Sequence, residues 1–174
     1  MTRSATLLFI SFLAAASRGP RAQAPEGVNL AALDGWDIVT AESPPPSVAY
    51  AAEELQRFLE KASGLKLPVT SKVERKDRHV FVGPSAPMRE SSAGFSAEGL
   101  GPEDLRVVIR DGAIAIAGGE PRGTLYGVYA FLEDHLGVRF LTADHTHVPP
   151  IGAWRVAGPV DRTFRPPFTM RWSY

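Results

Sequence analysis

Gly118-Gly119-Glu120-Pro121-Arg122-Gly123-Thr124-Leu125-Tyr126-Gly127-Val128-Tyr129-Ala130-Phe131-Leu132-Glu133-Asp134-His135-Leu136-Gly137-Val138-Arg139-Phe140 is the stretch from which the fold of this chain is read. Leu125, Val128, Tyr129, Leu132 and Leu136 recur at helical spacing, so they form one stripe that must find a core. Pro121 suits a first helical turn, where a missing N–H costs nothing, and Gly137 suits the left-handed residue that closes a helix. Val138 to Leu141 then reads as a short strand, so the unit is strand, turn, helix, strand. Gly127 costs roughly 1 kcal/mol against Ala in a helix interior, and with Gly123 it implies close approach of the helix backbone to a sheet. Gly118-Gly119 ahead of a helix could cradle an anion. Neither G-x-G-x-x-G nor Gly-Lys-Ser/Thr accompanies it, so packing is the reading.

Immediately before this stretch lies an alternating pair of segments. Leu105, Val107 and Ile109 alternate with Arg106, Val108 and Arg110; Asp111-Gly112 follows; Ile114 and Ile116 then alternate with alanines. A two-residue Asp-Gly loop selects a type I′ hairpin, which sets residue 109 opposite 114 and 107 opposite 116. The four large apolar residues then share one face, as a half-buried sheet requires.

Further upstream, Pro44-Pro45-Pro46 and the N-cap candidate Ser47 precede Val48, Ala51, Ala52, Leu55, Phe58, Leu59 and Ala62, a second helical stripe closed by Gly64. Glu53, Glu54, Arg57 and Lys61 are expected on its wet side, where pairs three or four apart are mildly stabilising. Trp36–Thr40 and His79–Gly83 read as strands, Leu67–Thr70 as a weak edge strand marked by Pro68, and Trp154–Val156 as a possible short one. Residues 84–104, rich in Pro, Ser, Gly and acids, are expected to be an irregular loop. The fold class is therefore α/β (an α+β sandwich): a mixed sheet of about five or six strands with two amphipathic helices packed across it.

The 174 residues leave room for one domain, and 44% hydrophobic with 22% charged content is that of a globular chain. Residues 1–24 carry Arg3 and then an apolar run from Ala5 to Ala16 that is too short to span a bilayer but suits a secretory signal. Cleavage fits after Ala16 better than after Ala24, which would leave Pro25 as the new terminus. The expected organisation is signal 1–24, linker 25–34, α/β domain 35–158, and 159–174 as the start of a following domain. The chain balances 19 basic against 19 acidic residues; without Arg3, Arg18 and Arg21 it holds 16 against 19, a net charge of −3. A mildly acidic domain with no basic cluster is not built for nucleic acid, and no membrane association is expected once the signal is removed. With no cysteine there is neither a disulfide nor a thiolate metal site.

The helix Glu53-Glu54-Leu55-Gln56-Arg57-Phe58-Leu59, the Ser-Gly-Leu-Lys-Leu-Pro-Val that follows, the strand Val80-Phe81-Val82-Gly83, and the block from Arg122 to Phe140 together resemble the N-terminal domain of bacterial α-glucuronidases, with β-hexosaminidases as more distant relatives. The resemblance covers roughly residues 35–150 and implies a fold like the second domain of β-hexosaminidases. It implies a non-catalytic accessory domain ahead of a catalytic barrel, which would be its partner along with polysaccharide, in a secreted or periplasmic bacterial glycoside hydrolase. It assigns no catalytic, cofactor, metal or substrate-binding residue here. The aromatic run from Phe164 to Tyr174 would lead into the first barrel strand, making the chain a fragment; a terminal strand docked on the sheet is the simpler alternative.

Other chemistries are weaker. Glycoside hydrolysis needs two carboxyl groups about 5–10 Å apart across a sugar. Glu53/Glu54, Glu103/Asp104 and Glu133/Asp134 are neighbours in sequence, and neighbours on a helix do not face each other. Asp144-His145-Thr146-His147, with His79 or His135, lacks a third metal ligand at recognisable spacing. Gly94-Phe95-Ser96-Ala97-Glu98 lacks the second glycine of a nucleophile elbow. Trp36, Trp154 and Trp172 could stack on sugar rings, as a free-standing carbohydrate-binding module would, or simply pack.

Overall fold

The computed structural model describes residues 27–152 and 156–168. Its elements run β1 (Val28–Asn29), β2 (Asp37–Val39), α1 (Pro46–Ser63), β3 (Val69–Thr70), β4 (His79–Val82), α2 (Ala86–Glu90), β5 (Leu105–Arg110), β6 (Ala113–Gly118), α3 (Gly123–Leu136), β7 (Arg139–Phe140), β8 (Thr146–His147), β9 (Val156–Ala157) and β10 (Val160–Phe164). Six strands form one mixed sheet in the order β10-β5-β6-β4-β2-β3. The β3-β2-β4-β6 neighbours are parallel, while β5 runs antiparallel to both β6 and β10.

The hairpin forms in the expected register, with Ile109 opposite Ile114 and Val107 opposite Ile116. Asp111 and Gly112 both take positive φ, at 46° and 76°, as the tight turn demands. Because side chains alternate across a strand, this register divides the sheet's residues between two cores. Ile38, Val80, Val82, Val107, Ile109, Ile114 and Ile116 meet α1 and α3. Val39, Phe81, Val108 and the alanines of β6 lie on the opposite face, beneath Met88, Ala93 and Phe95. The segment 84–104, expected to be irregular, thus contains α2 and covers the second face. Ser85 caps that helix, accepting the Met88 N–H at 3.2 Å.

Helix α1 begins with Pro46 at its first position, one residue before the expected cap, and no side chain caps it. The fixed φ of proline already suits that turn. It closes as expected at Gly64, which is left-handed with φ 77° and donates to the Glu60 carbonyl at 2.8 Å. Helix α3 starts at Gly123, two residues after Pro121, and ends at the left-handed Gly137. Its buried residues are Gly123, Thr124, Gly127, Val128, Phe131, Leu132 and Leu136, whereas Leu125 and Tyr129 are half-buried. The stripe is therefore turned toward Phe131, because α3 meets the sheet on one side and α1 on the other.

Glycines let the strand–turn–helix unit close. A Cβ on Gly127 would lie 2.9 Å from Ile116 Cγ2, and one on Gly119 would lie 1.9 Å from the Gly101 carbonyl oxygen. The helix rests on the sheet, and the 100–104 turn rests on the helix start.

Three segments depart from the sequence expectations. Arg139–Phe140 does not join the main sheet but pairs with Thr146–His147 in a separate two-stranded ribbon. Val160–Phe164, expected to open a following domain, is the edge strand beside β5. Residues 28–33, expected to be linker, contribute buried Val28, Leu30 and Leu33 to the helix-side core, and Val28–Asn29 pairs with Val156–Ala157. Such short segments carry too few residues to show a period, so only tertiary pairing identifies them. The signal expected at 1–24, Trp154 and the run beyond residue 168 lie outside the described residues.

Candidate functional site

Two polar clusters combine buried acidic or imidazole side chains with a partly exposed arginine. Asp37 opens β2 and His79 opens the neighbouring β4, directly opposite one another in the parallel ladder. Their side chains meet at 2.5 Å from Asp37 Oδ1 to His79 Nδ1, and the imidazole is 1% exposed. The other ring nitrogen faces the Arg75 carbonyl at 2.9 Å, while the Arg75 guanidinium donates to Asp37 Oδ2 at 2.7 Å. The cluster fastens the charged 72–78 loop to the ends of two strands. It resembles an acid–base dyad, but the nitrogen that would serve a substrate is occupied by a backbone carbonyl.

The second cluster joins the helices. Glu54, expected on the wet side of α1, is 6% exposed. Arg57 contacts both of its oxygens, at 2.7 and 2.8 Å, and the Tyr129 hydroxyl of α3 donates to Oε2 at 3.0 Å. A buried carboxylate needs such partners. Burial, and then the adjacent Glu54 charge, raises the Tyr129 pKa well above its ordinary value of 10.0. Around the pair, the Phe140 ring meets Phe58 and Tyr129 edge-on, at 5.3 and 5.1 Å, so the β7–β8 ribbon is seated on both helices.

The carboxylate pairs considered as catalytic couples are dispersed or engaged. Glu53 is exposed while Glu54 is buried with Arg57. Glu103 lies 3.3 Å from Arg122; Asp104 accepts the Gly101 N–H at 2.9 Å and faces Arg165 at 3.4 Å. Asp134 pairs with Arg162. Asp161 is held by Arg106 at 2.9 and 3.0 Å, which together with Arg110 keeps its carboxyl below the ordinary range. His79 is buried against Asp37 whereas His145 and His147 are exposed, and no group of three or more metal-ligating side chains occurs among the described residues. The Ser96 hydroxyl accepts from the Glu98 N–H at 3.1 Å in a local turn. Trp36 is 7% exposed and belongs to the core. The N–H groups ahead of α3 are spoken for: Gly119 donates to Asp104 O at 3.0 Å and Gly118 to Thr124 Oγ1 at 3.0 Å. No helix among the described residues is long and apolar enough to cross a membrane.

Sequence reading missed the Asp37–His79 contact and misplaced Glu54. The first had one signal, an Asp and a His at the openings of two strands that prove adjacent. The second had none, because a Glu three residues before an Arg looks the same on a wet face and in a helix seam.

With this geometry in view, the sequence of residues 30–131, more than half of the chain, matches the family described as glycosyl hydrolase family 67 N-terminus. The chain belongs to that family. No curated protein matches it. Among solved structures, this family 67 N-terminal domain is similar to a family GH115 4-O-methyl-α-glucuronidase with specificity for decorated arabinogalactans, at TM-score 0.52 and 18% identity over 74% of this chain and 17% of that one. It is also similar to the GH20 β-N-acetylhexosaminidase of Streptomyces coelicolor A3(2), at TM-score 0.53 and 16% identity over 84% of this chain and 24% of that one. At such identities the likeness is one of fold. The family 67 N-terminal domain spans about a quarter or less of either protein's length.

Proposed function

We propose that this chain is a non-catalytic accessory domain of a secreted, α-glucuronidase-like bacterial glycoside hydrolase, part of a longer polypeptide, and that it props a catalytic barrel. The observation that carries this reading is the pairing of six of its acids among the described residues. Asp37, Glu54, Glu103, Asp104, Asp134 and Asp161 each stand beside an arginine of the same domain, so their charge is spent on holding loops, helices and strands together. A glycosidase instead keeps one carboxyl protonated and one ionised, both facing an open sugar site. The signal-like residues 1–24 support export, which would place the protein outside the cell or in the periplasm.

Reading the gene past the codon for Tyr174 tests the proposal. An open frame continuing for several hundred codons, with α-glucuronidase activity in the longer product and none in residues 1–174, supports it. A stop codon at that point, with measurable glycan binding by the chain itself, would instead support a free-standing carbohydrate-binding module.

A further inference from the structure

Two helices do not cover the helix side of this sheet. Six strands about 4.8 Å apart place the outer strand axes roughly 24 Å from each other, before side chains are added. Two neighbouring helices with axes 8–10 Å apart cover roughly 20 Å. Helix α1 lies against β3 and β4, and α3 against β5 and β6, so the uncovered strip is at β10. There a channel of about 220 Å³ runs between α3 and β10. Leu105 and Val107 form its floor, Ala130 and Phe131 one wall, and Val160 and Phe164 the other. Phe164 is 41% exposed although it stands opposite Leu105 on the core side of the sheet.

We infer that this channel is the docking surface for the next domain of the same polypeptide, which inserts an apolar segment beside α3 as a third member of the helix layer. The inference rests on the accessory-domain reading above and names the surface through which that domain acts. Three observations select this occupant. The similar solved proteins are several times longer than this chain, which spans 17% and 24% of them, so most of such a polypeptide lies outside this fold. Phe164 is both the channel wall and the last residue of β10, so a segment following residue 168 is tethered within a few residues of the channel and meets it at high effective concentration. The channel is also smaller than the roughly 300 Å³ of an ordinary ligand pocket, and at its rim Asp134 and Arg162 already satisfy each other.

A second copy of the chain fits less well. Antiparallel pairing of two β10 edges centred on Arg162 would set two guanidinium groups opposite one another.

Amide hydrogen exchange, measured on residues 1–174 and on the longer polypeptide, tests the inference. In the longer protein the amides of Val160–Phe164 should exchange about tenfold or more slowly, while those of the opposite edge, Val69–Thr70, stay unchanged. Phe164→Asp in the longer protein should return β10 to the rates of the short chain. Ala130→Glu, which leaves the strand itself intact, should do the same. Protection appearing instead around Tyr50, Phe140 and Leu141, with β10 unaffected, overturns the channel while leaving the accessory role standing. A coding frame that stops at Tyr174, or a longer protein in which no surface of this domain gains protection, overturns the accessory role and the channel with it.

Discussion

The Tyr129 hydroxyl of α3 donates to the Glu54 carboxylate of α1 across 3.0 Å, tying together the two helices that cover the sheet. Because burial and Glu54 raise the Tyr129 pKa, the folded state holds the phenol proton more tightly than the unfolded chain does. Its contribution to stability is whole below about pH 10 and is lost as pH rises above that value. Tyr129→Phe should cost about 1 kcal/mol at neutral pH, the worth of one hydrogen bond. The gap between wild type and variant, measured by urea melts from pH 7 to 11, should narrow only above pH 10.

The phase of α3 makes a sharper test. Leu132 is 0% exposed, whereas its neighbour Glu133 is exposed. Leu132→Asp should bury an unpaired charge and cost roughly 3–5 kcal/mol, a large share of a typical domain's stability. Glu133→Ala should change the melt by less than about 0.5 kcal/mol. Two equally mild variants would mean that the helix is turned the other way.

The turn ahead of α3 predicts a contrast between glycines. A methyl on Gly119 would sit 1.9 Å from the Gly101 carbonyl, whereas one on Gly158 would meet nothing within 4 Å. Gly119→Ala should destabilise by about 1–3 kcal/mol through overpacking, and Gly158→Ala should be neutral or slightly favourable. Paired thermal melts decide it.

The Asp37–His79 contact predicts a third contrast. Asp37→Ala strips the buried imidazole and Arg75 of their shared acceptor, at a cost of about 1–3 kcal/mol. Asp77→Ala, in the exposed part of the same loop, should have little effect on the melting temperature.

These tests separate what was legible in the amino-acid sequence from what was not. The hairpin was readable to the residue, because Asp111-Gly112 and the alternation around it independently specify one register. Both long helices were readable from their apolar spacing, including their glycine stops at Gly64 and Gly137. The spacing was less informative about which side of α3 is deepest. Counting Leu125 and Tyr129 but omitting Phe131 assumes a single narrow contact, whereas α3 is wedged between the sheet and α1. Glu54 was misplaced for a related reason: an apolar period cannot register a charge whose burial is made tolerable by Arg57 and Tyr129. The five-residue α2 and the two-residue strands are too short for a period to repeat, and β10 could be assigned only once its partner β5 was in place. The candidate site had the weakest signal of all, since the proposed propping role would need shape and no motif for chemistry.

The most direct test of the propping role is the melting of the longer polypeptide with and without residues 27–168. Deleting them should lower the melting midpoint of the catalytic region by roughly 1–2 °C or more, reflecting the loss of at least about 1 kcal/mol of interdomain stabilisation across a region of several hundred residues. A catalytic region that melts at the same temperature and turns over substrate at the same rate without this domain would contradict it.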